Sequence, residues 1–98
     1  MKTREKGYKD YGFDSDEAKK LKAFCRRPDF AEHKLLIDSA VSANPAIASD
    51  LYYSLVNGIS YDSLLKIKFI PLPQVDFYGY QRKCISIFRN NLYKEQNC

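Results

Sequence analysis

Eight side chains in the last third of this 98-residue chain have the types that grip or read a nucleic acid. Lys66, Lys68, Lys83 and Arg89 are cations suited to phosphate oxygens, contacts that fix register without carrying sequence information. Gln74, Tyr78, Gln81 and Arg82 stand early in the last expected helix. An amide such as that of Gln suits adenine, and a guanidinium suits guanine, by donor and acceptor geometry. Asp76 lies among them and would repel phosphate. It suits a helix cap.

Other reactive types are present without the spacing that chemistry needs. His33 is the only histidine, eight residues from Cys25 and far from Cys84, so no four-ligand zinc pattern exists. A Cys-His nucleophile would need His33 to orient one of those thiols, and short apolar helical faces commonly carry inert cysteine. Asp14, Asp16 and Glu17 resemble an acid cluster, but their place at a helix start complements the helix dipole without further function. Arg26 and Arg27 complement the other end of that helix. Of the eight tyrosines, Tyr52, Tyr53 and Tyr61 lie in the acidic middle and suit core edges. Only Tyr78 and Tyr80, near Arg82, fit a base-stacking platform, and one of them is needed for the core. No enzyme, cofactor or metal is implied.

The elements that must position these residues follow from apolar periodicity and capping. Apolar residues make up 45% of the chain, enough for one packed domain. Residues 1–13 have mixed charge and no period, and read as a flexible N-terminal arm. The first helix is expected from Ser15 to Arg27, with Asp14 and Glu17 at capping-box spacing. Ala18, Leu21, Phe24 and Cys25 form its core face, and Pro28 marks its boundary. A second helix covers about Asp29 to Ala43, with Leu36, Ile37, Ala40, Val41 and Ala43 inward. Asn44-Pro45 starts a third helix, which runs to Asn57 and stops at Gly58. Its buried stripe is Ile47, Leu51, Leu55 and Val56.

Ser60 caps a short fourth helix, Tyr61 to about Lys68, with Ile59 and Leu64 at hydrophobic-staple spacing. Leu64, Leu65 and Ile67 face the core, and Lys66 and Lys68 point outward. Phe69-Ile70-Pro71-Leu72-Pro73 then breaks the helix, because its two prolines cannot sit inside one. Ile70 and Leu72 anchor this turn. The last helix starts at Pro73, or after Asp76 if Asp76 caps it, and runs to about Tyr93. Phe77, Tyr80, Cys84, Ile87, Phe88 and Asn91 mark its inner face. Gly79 weakens it by roughly 1 kcal/mol relative to alanine. Helix, turn and basic aromatic helix make a C-terminal helix-turn-helix at about 45–93. The whole is all-α: a compact bundle of about five helices over residues 14–98.

Charge is partitioned along the chain. Residues 1–37 hold ten Lys/Arg and seven Asp/Glu, residues 38–65 three acids and no base, and residues 66–98 six bases and two acids. A concentrated basic third favours a polyanionic partner. Cys25, Cys84 and Cys98 lack pairing spacing; Cys25 and Cys84 suit buried thiols and Cys98 a free one. The opening MKTREKGYKDYG shows no signal peptide, and no apolar run approaches a membrane span. A cytoplasmic protein with no membrane association is expected.

The run from Asn44 to Val75 resembles the DNA-binding region four of sigma factors. The matching pieces are Asp50-Leu51-Tyr52-Tyr53-Ser54-Leu55-Val56, Gly58-Ile59-Ser60-Tyr61, Leu64 with Ile67, and Ile70-Pro71. Val75 falls where that module places a core valine. The chain is also similar to small regulators of phages and mobile elements in Gram-positive bacteria. Lys68 and Phe69 replace the usual leucine and glycine of the turn, and Gly79 a core leucine. The resemblance implies a sequence-specific transcriptional regulator whose partner is double-stranded DNA. A homodimer on two half-sites would add specificity. The alternative is a protein-binding module acting on host RNA polymerase, or an inhibitor of a defence nucleoprotein of the anti-CRISPR type.

Overall fold

A computed structural model describes residues 7–96. It is all-α: α1 (Ser15–Cys25), α2 (His33–Ala43), α3 (Ala48–Asn57), α4 (Tyr61–Leu65) and α5 (Gln74–Gln96), with short 3-10 turns at Tyr8–Tyr11 and Pro45–Ile47. Cys98 and residues 1–6 of the expected arm lie outside the described residues.

Local chemistry sets most of the boundaries. The Asp14 carboxylate accepts a hydrogen bond from the Glu17 amide at 2.9 Å and opens α1. The Glu17 side chain does not complete the expected capping box; its Oε2 is taken by Arg89 and Tyr93 of α5. The chain turns after Cys25, and α2 begins at His33 instead of Asp29. The reason is Phe30, which this turn drops into the core. Its ring meets Phe24 edge-on at 5.3 Å and lies against Phe88. Asn44 caps the next element as expected, but the first three residues, Pro45–Ile47, wind as a 3-10 turn before α3. Gly58 ends α3 at φ +65°, a left-handed conformation that favours glycine.

Ser60 caps α4 by accepting from the Ser63 amide. The helix stops at Leu65, three residues early, as the Lys66 and Ile67 amides tighten to i→i−3 bonds on the Ser63 and Leu64 carbonyls. Ile67 is consequently turned out, 67% exposed, contrary to its expected core position. Beyond it, Ile70 is buried and Leu72 half-buried, so the proline turn is anchored as anticipated. The Tyr61 hydroxyl donates to the Leu72 carbonyl and ties α4 to that anchor. Helix α5 begins straight after Pro73, whose carbonyl accepts from the Phe77 amide at 3.0 Å. Asp76 is therefore in its first turn and is not its cap.

Helix α5 is the centre of the bundle, packed against α1, α2, α3, α4 and the Tyr8–Tyr11 turn. Phe77, Cys84, Ile85 and Phe88 are fully buried along it. Its most extensive partner is α2, which presents Leu36, Ser39, Ala40 and Ala43. Three of those four residues are small, so the backbones approach closely. Ile37 and Val41, expected inward, lie to the side of this stripe and are exposed. Residues 7–13 are not an arm. Tyr8 and Phe13 pack ring to ring at 5.1 Å, and Phe13 is buried in the core beside α5.

Phe88 touches both Phe24 and Phe30 at the junction of α1, α2 and α5. Phe88→Ala should lower unfolding stability by about 3–5 kcal/mol. Chemical denaturation checks this; a loss under about 1 kcal/mol contradicts the central place given to that ring.

Candidate nucleic-acid interface

The eight residues picked from the sequence divide between the interior and one exposed edge. Gln81 shares the inward face of α5 with Phe77, Cys84 and Phe88 and is 5% exposed. Its amide donates to Ser54 Oγ at 3.2 Å, and Ser54 in turn donates to the Ile59 carbonyl. A base edge cannot reach it in this fold. Tyr78 is half-buried, and its hydroxyl accepts the Tyr61 backbone N–H at 3.0 Å, which positions the start of α4. Arg89 pairs with Glu17 at 2.9 Å and lies over the Phe13 and Tyr93 rings. It is fifteen residues beyond Gln74, about 22 Å of helix, and is committed to α1.

Lys68 reaches across to α3 and pairs with the buried carboxylate of Asp50 at 2.6 Å. A buried carboxylate without a partner is costly, so this lysine has a structural task. Arg82 is half-buried close to Tyr11. Burial raises the pKa of the Tyr11 phenol, and the Arg82 charge partly offsets that rise. Lys83 is half-buried on the body of α5. Lys66 and Gln74 are exposed, one at each end of the segment 66–73 that joins α4 to α5. That segment has eight residues, longer than the three or four of a compact helix-turn-helix connection.

The same edge carries an apolar outcrop that the helical reading missed. Phe69 is 81% exposed and Val75 58%, beside the outward Ile67. Val75 thus departs from the core position implied by the resemblance. Its alternating neighbours held the signal: in extended backbone, burying Ile70 and Leu72 turns Phe69, Pro71 and Pro73 outward. A cavity of about 320 Å³ opens next to this outcrop, lined by Tyr53, Leu64, Ile67, and the Lys68–Asp50 pair.

Other reactive groups are accounted for structurally. Cys25 and Cys84 are buried free thiols, each pushed up to about 12 by burial and so protonated at neutral pH. His33 Nδ1 is 2.7 Å from the Tyr52 hydroxyl at the surface. Among the described residues, no group of three or more His, Cys, Asp or Glu side chains could hold a metal, and no helix is long and apolar enough to cross a membrane.

The Glu17–Arg89–Tyr93 cluster joins α1 to α5 and sets a pH dependence. Hydrogen bonds from Arg89 and Tyr93 hold the Glu17 carboxyl below its ordinary value. A depressed carboxylate stabilises the fold above its unfolded pKa of about 4.3 and loses that contribution as pH falls through the lower folded value. Wild type should therefore exceed Glu17→Gln in stability at neutral pH, and the gap should close in acid. Denaturation from pH 7 to pH 2 tests it; a gap that widens in acid contradicts the assignment. Comparison of the chain with protein-family models, characterised proteins and solved structures finds no match.

Proposed function

We propose that the protein is a non-enzymatic, sequence-specific DNA-binding regulator of the phage or mobile-element type, and that it meets the duplex with the α4–α5 edge. One observation carries this reading: Lys66, on the segment after α4, and Gln74, in the first turn of α5, are exposed at the two ends of a protruding connection. Lys66 supplies charge for a phosphate, and Gln74 supplies the paired donor and acceptor that suit adenine. The net charge of +4 adds long-range attraction to a polyanion. Lys83 is a secondary contact, and Gln81, Tyr78 and Arg89 serve the fold. The likeness of residues 44–75 to a sigma-factor DNA-binding region supports the same surface.

Binding to mixed-sequence duplex should weaken steeply with salt, by about 0.9 log units per phosphate contact for each log unit of salt. Lys66→Ala should lower that slope by about one contact. Gln74→Ala should leave nonspecific affinity unchanged and relax sequence preference. Fluorescence anisotropy reads all three. An absence of binding at 50 mM salt contradicts the proposal.

A second reading has its own observation. Ile67, Phe69 and Val75 are each exposed on or next to the 66–73 segment, and exposed apolar surface there suits a protein contact. The partner would then be a host protein such as RNA polymerase. Phe69→Gln should sharply reduce retention of purified polymerase on the immobilised protein while leaving duplex affinity within about twofold, since the change alters no charge. Equal retention by wild type and variant argues against a polymerase contact through Phe69.

A further inference from the structure

A second cleft, of about 190 Å³, lies where α1, the end of α3, the start of α4 and α5 meet. Lys22 of α1 and Arg26, which caps its C-terminal end, line it together with Ser54, Ser60, Tyr78 and Gln81. Lys22 and Arg26 are four residues apart and so project from one side of their helix. The Arg26 side chain folds back along α1, its Nε donating to the Lys22 carbonyl at 3.3 Å. Its Cδ passes over Gly58, where an added Cβ would come within 2.8 Å. The glycine therefore serves twice: it permits the left-handed turn and makes room for the guanidinium.

The floor is polar and rigid. Ser54 and Gln81 are both more than nine-tenths buried and hydrogen-bonded to each other. The Tyr78 hydroxyl already accepts the Tyr61 amide, which leaves its own proton to donate. Ser60 lies at the rim with its hydroxyl donating to Ser63 Oγ at 3.1 Å, and the lining includes no carboxylate. The Lys22 ammonium stands 5.7 Å from the Tyr8 ring centre, at the edge of the same region. Two cations and the Tyr78 hydroxyl around a carboxylate-free hollow suit an oxyanion. At about 190 Å³ the cleft has room for one phosphate group.

We propose that this cleft binds a phosphate group, with Lys22 and Arg26 supplying charge and the Tyr78 hydroxyl supplying a hydrogen bond. The source is either a backbone phosphate of duplex DNA or a small free phosphate; only the first of these rests on the DNA reading. Inorganic phosphate added to the full chain at constant ionic strength, followed by amide NMR, tests the site itself. Saturable shifts are expected at Arg26, Gly58, Ser60 and Tyr61. Lys22→Gln with Arg26→Gln should weaken phosphate binding at least tenfold. Arg27→Gln should leave it unchanged, because Arg27 pairs with Asp29 elsewhere.

Circular dichroism of each variant separates lost binding from lost fold, and Lys22→Arg, which keeps the charge, should retain phosphate binding; its loss there overturns the role given to the Lys22 charge. A short duplex forms the second arm. Shifts of the same amides by duplex identify a backbone phosphate, and shifts by inorganic phosphate alone identify a small ligand. Shifts elsewhere, or a linear response that survives the double substitution, overturn the cleft. Failure of duplex binding with phosphate binding intact overturns the DNA reading alone.

Discussion

Burial of α5 is the constraint on which the rest of the structure depends. The helix contributes Phe77, Cys84, Ile85 and Phe88 to a core that also takes Phe13, Phe30, Leu36, Ile47 and Leu51. Such a helix has little free circumference, so its polar side chains must find partners within the protein. Gln81 finds Ser54, Tyr78 finds the Tyr61 amide, Arg89 finds Glu17, and Asn91 donates to Ser39. These bonds tie α5 to α3, α4, α1 and α2 in turn. They give the packing a single register, because a buried polar group left unpaired costs about 1–3 kcal/mol. The same bonds remove the Gln81, Arg89 and Asn91 side chains from the supply available to a ligand.

The polar side chains left without a structural task lie toward the edges of the bundle. Segment 66–73 is anchored at Ile70 and Leu72 and braced by the Tyr61 hydroxyl on the Leu72 carbonyl. It is exposed at Lys66, Ile67, Phe69 and Pro71. A loop anchored at two points and exposed between them holds its outward side chains with less entropy to lose on contact. Its charge comes mainly from Lys66, since Lys68 is balanced by Asp50. On the other side of α4, Arg26 across Gly58 and Lys22 beside Tyr8 add a second cationic place near the helix start.

Much of the fold was legible because local chemistry controls it. Asp14, Asn44, Ser60 and Gly58 each end or begin an element where their side chains or conformations demand it. The errors come from contacts between segments distant in sequence. Phe30 delays α2 by packing on Phe24 and Phe88, and Phe13 folds the supposed arm onto α5. Ile37 and Val41 continue an apolar pattern that α2 does not use. The candidate surface was less legible for the same reason. Helical spacing put Gln81 among accessible residues, and only its partner Ser54, twenty-seven positions earlier, reveals which way it faces. Arg26 looked like a dipole complement and Lys22 was not singled out, and their convergence with Ser60 and Tyr78 depends on tertiary packing.

Hydrogen exchange with mass spectrometry, run with and without saturating duplex DNA at low salt, tests most directly whether the α4–α5 edge is the contact surface. Added protection is predicted in peptides spanning 66–75, with the interior stretch 81–88 unchanged. Protection absent throughout, or confined to the exposed Ile37 and Val41 side of α2, would contradict it.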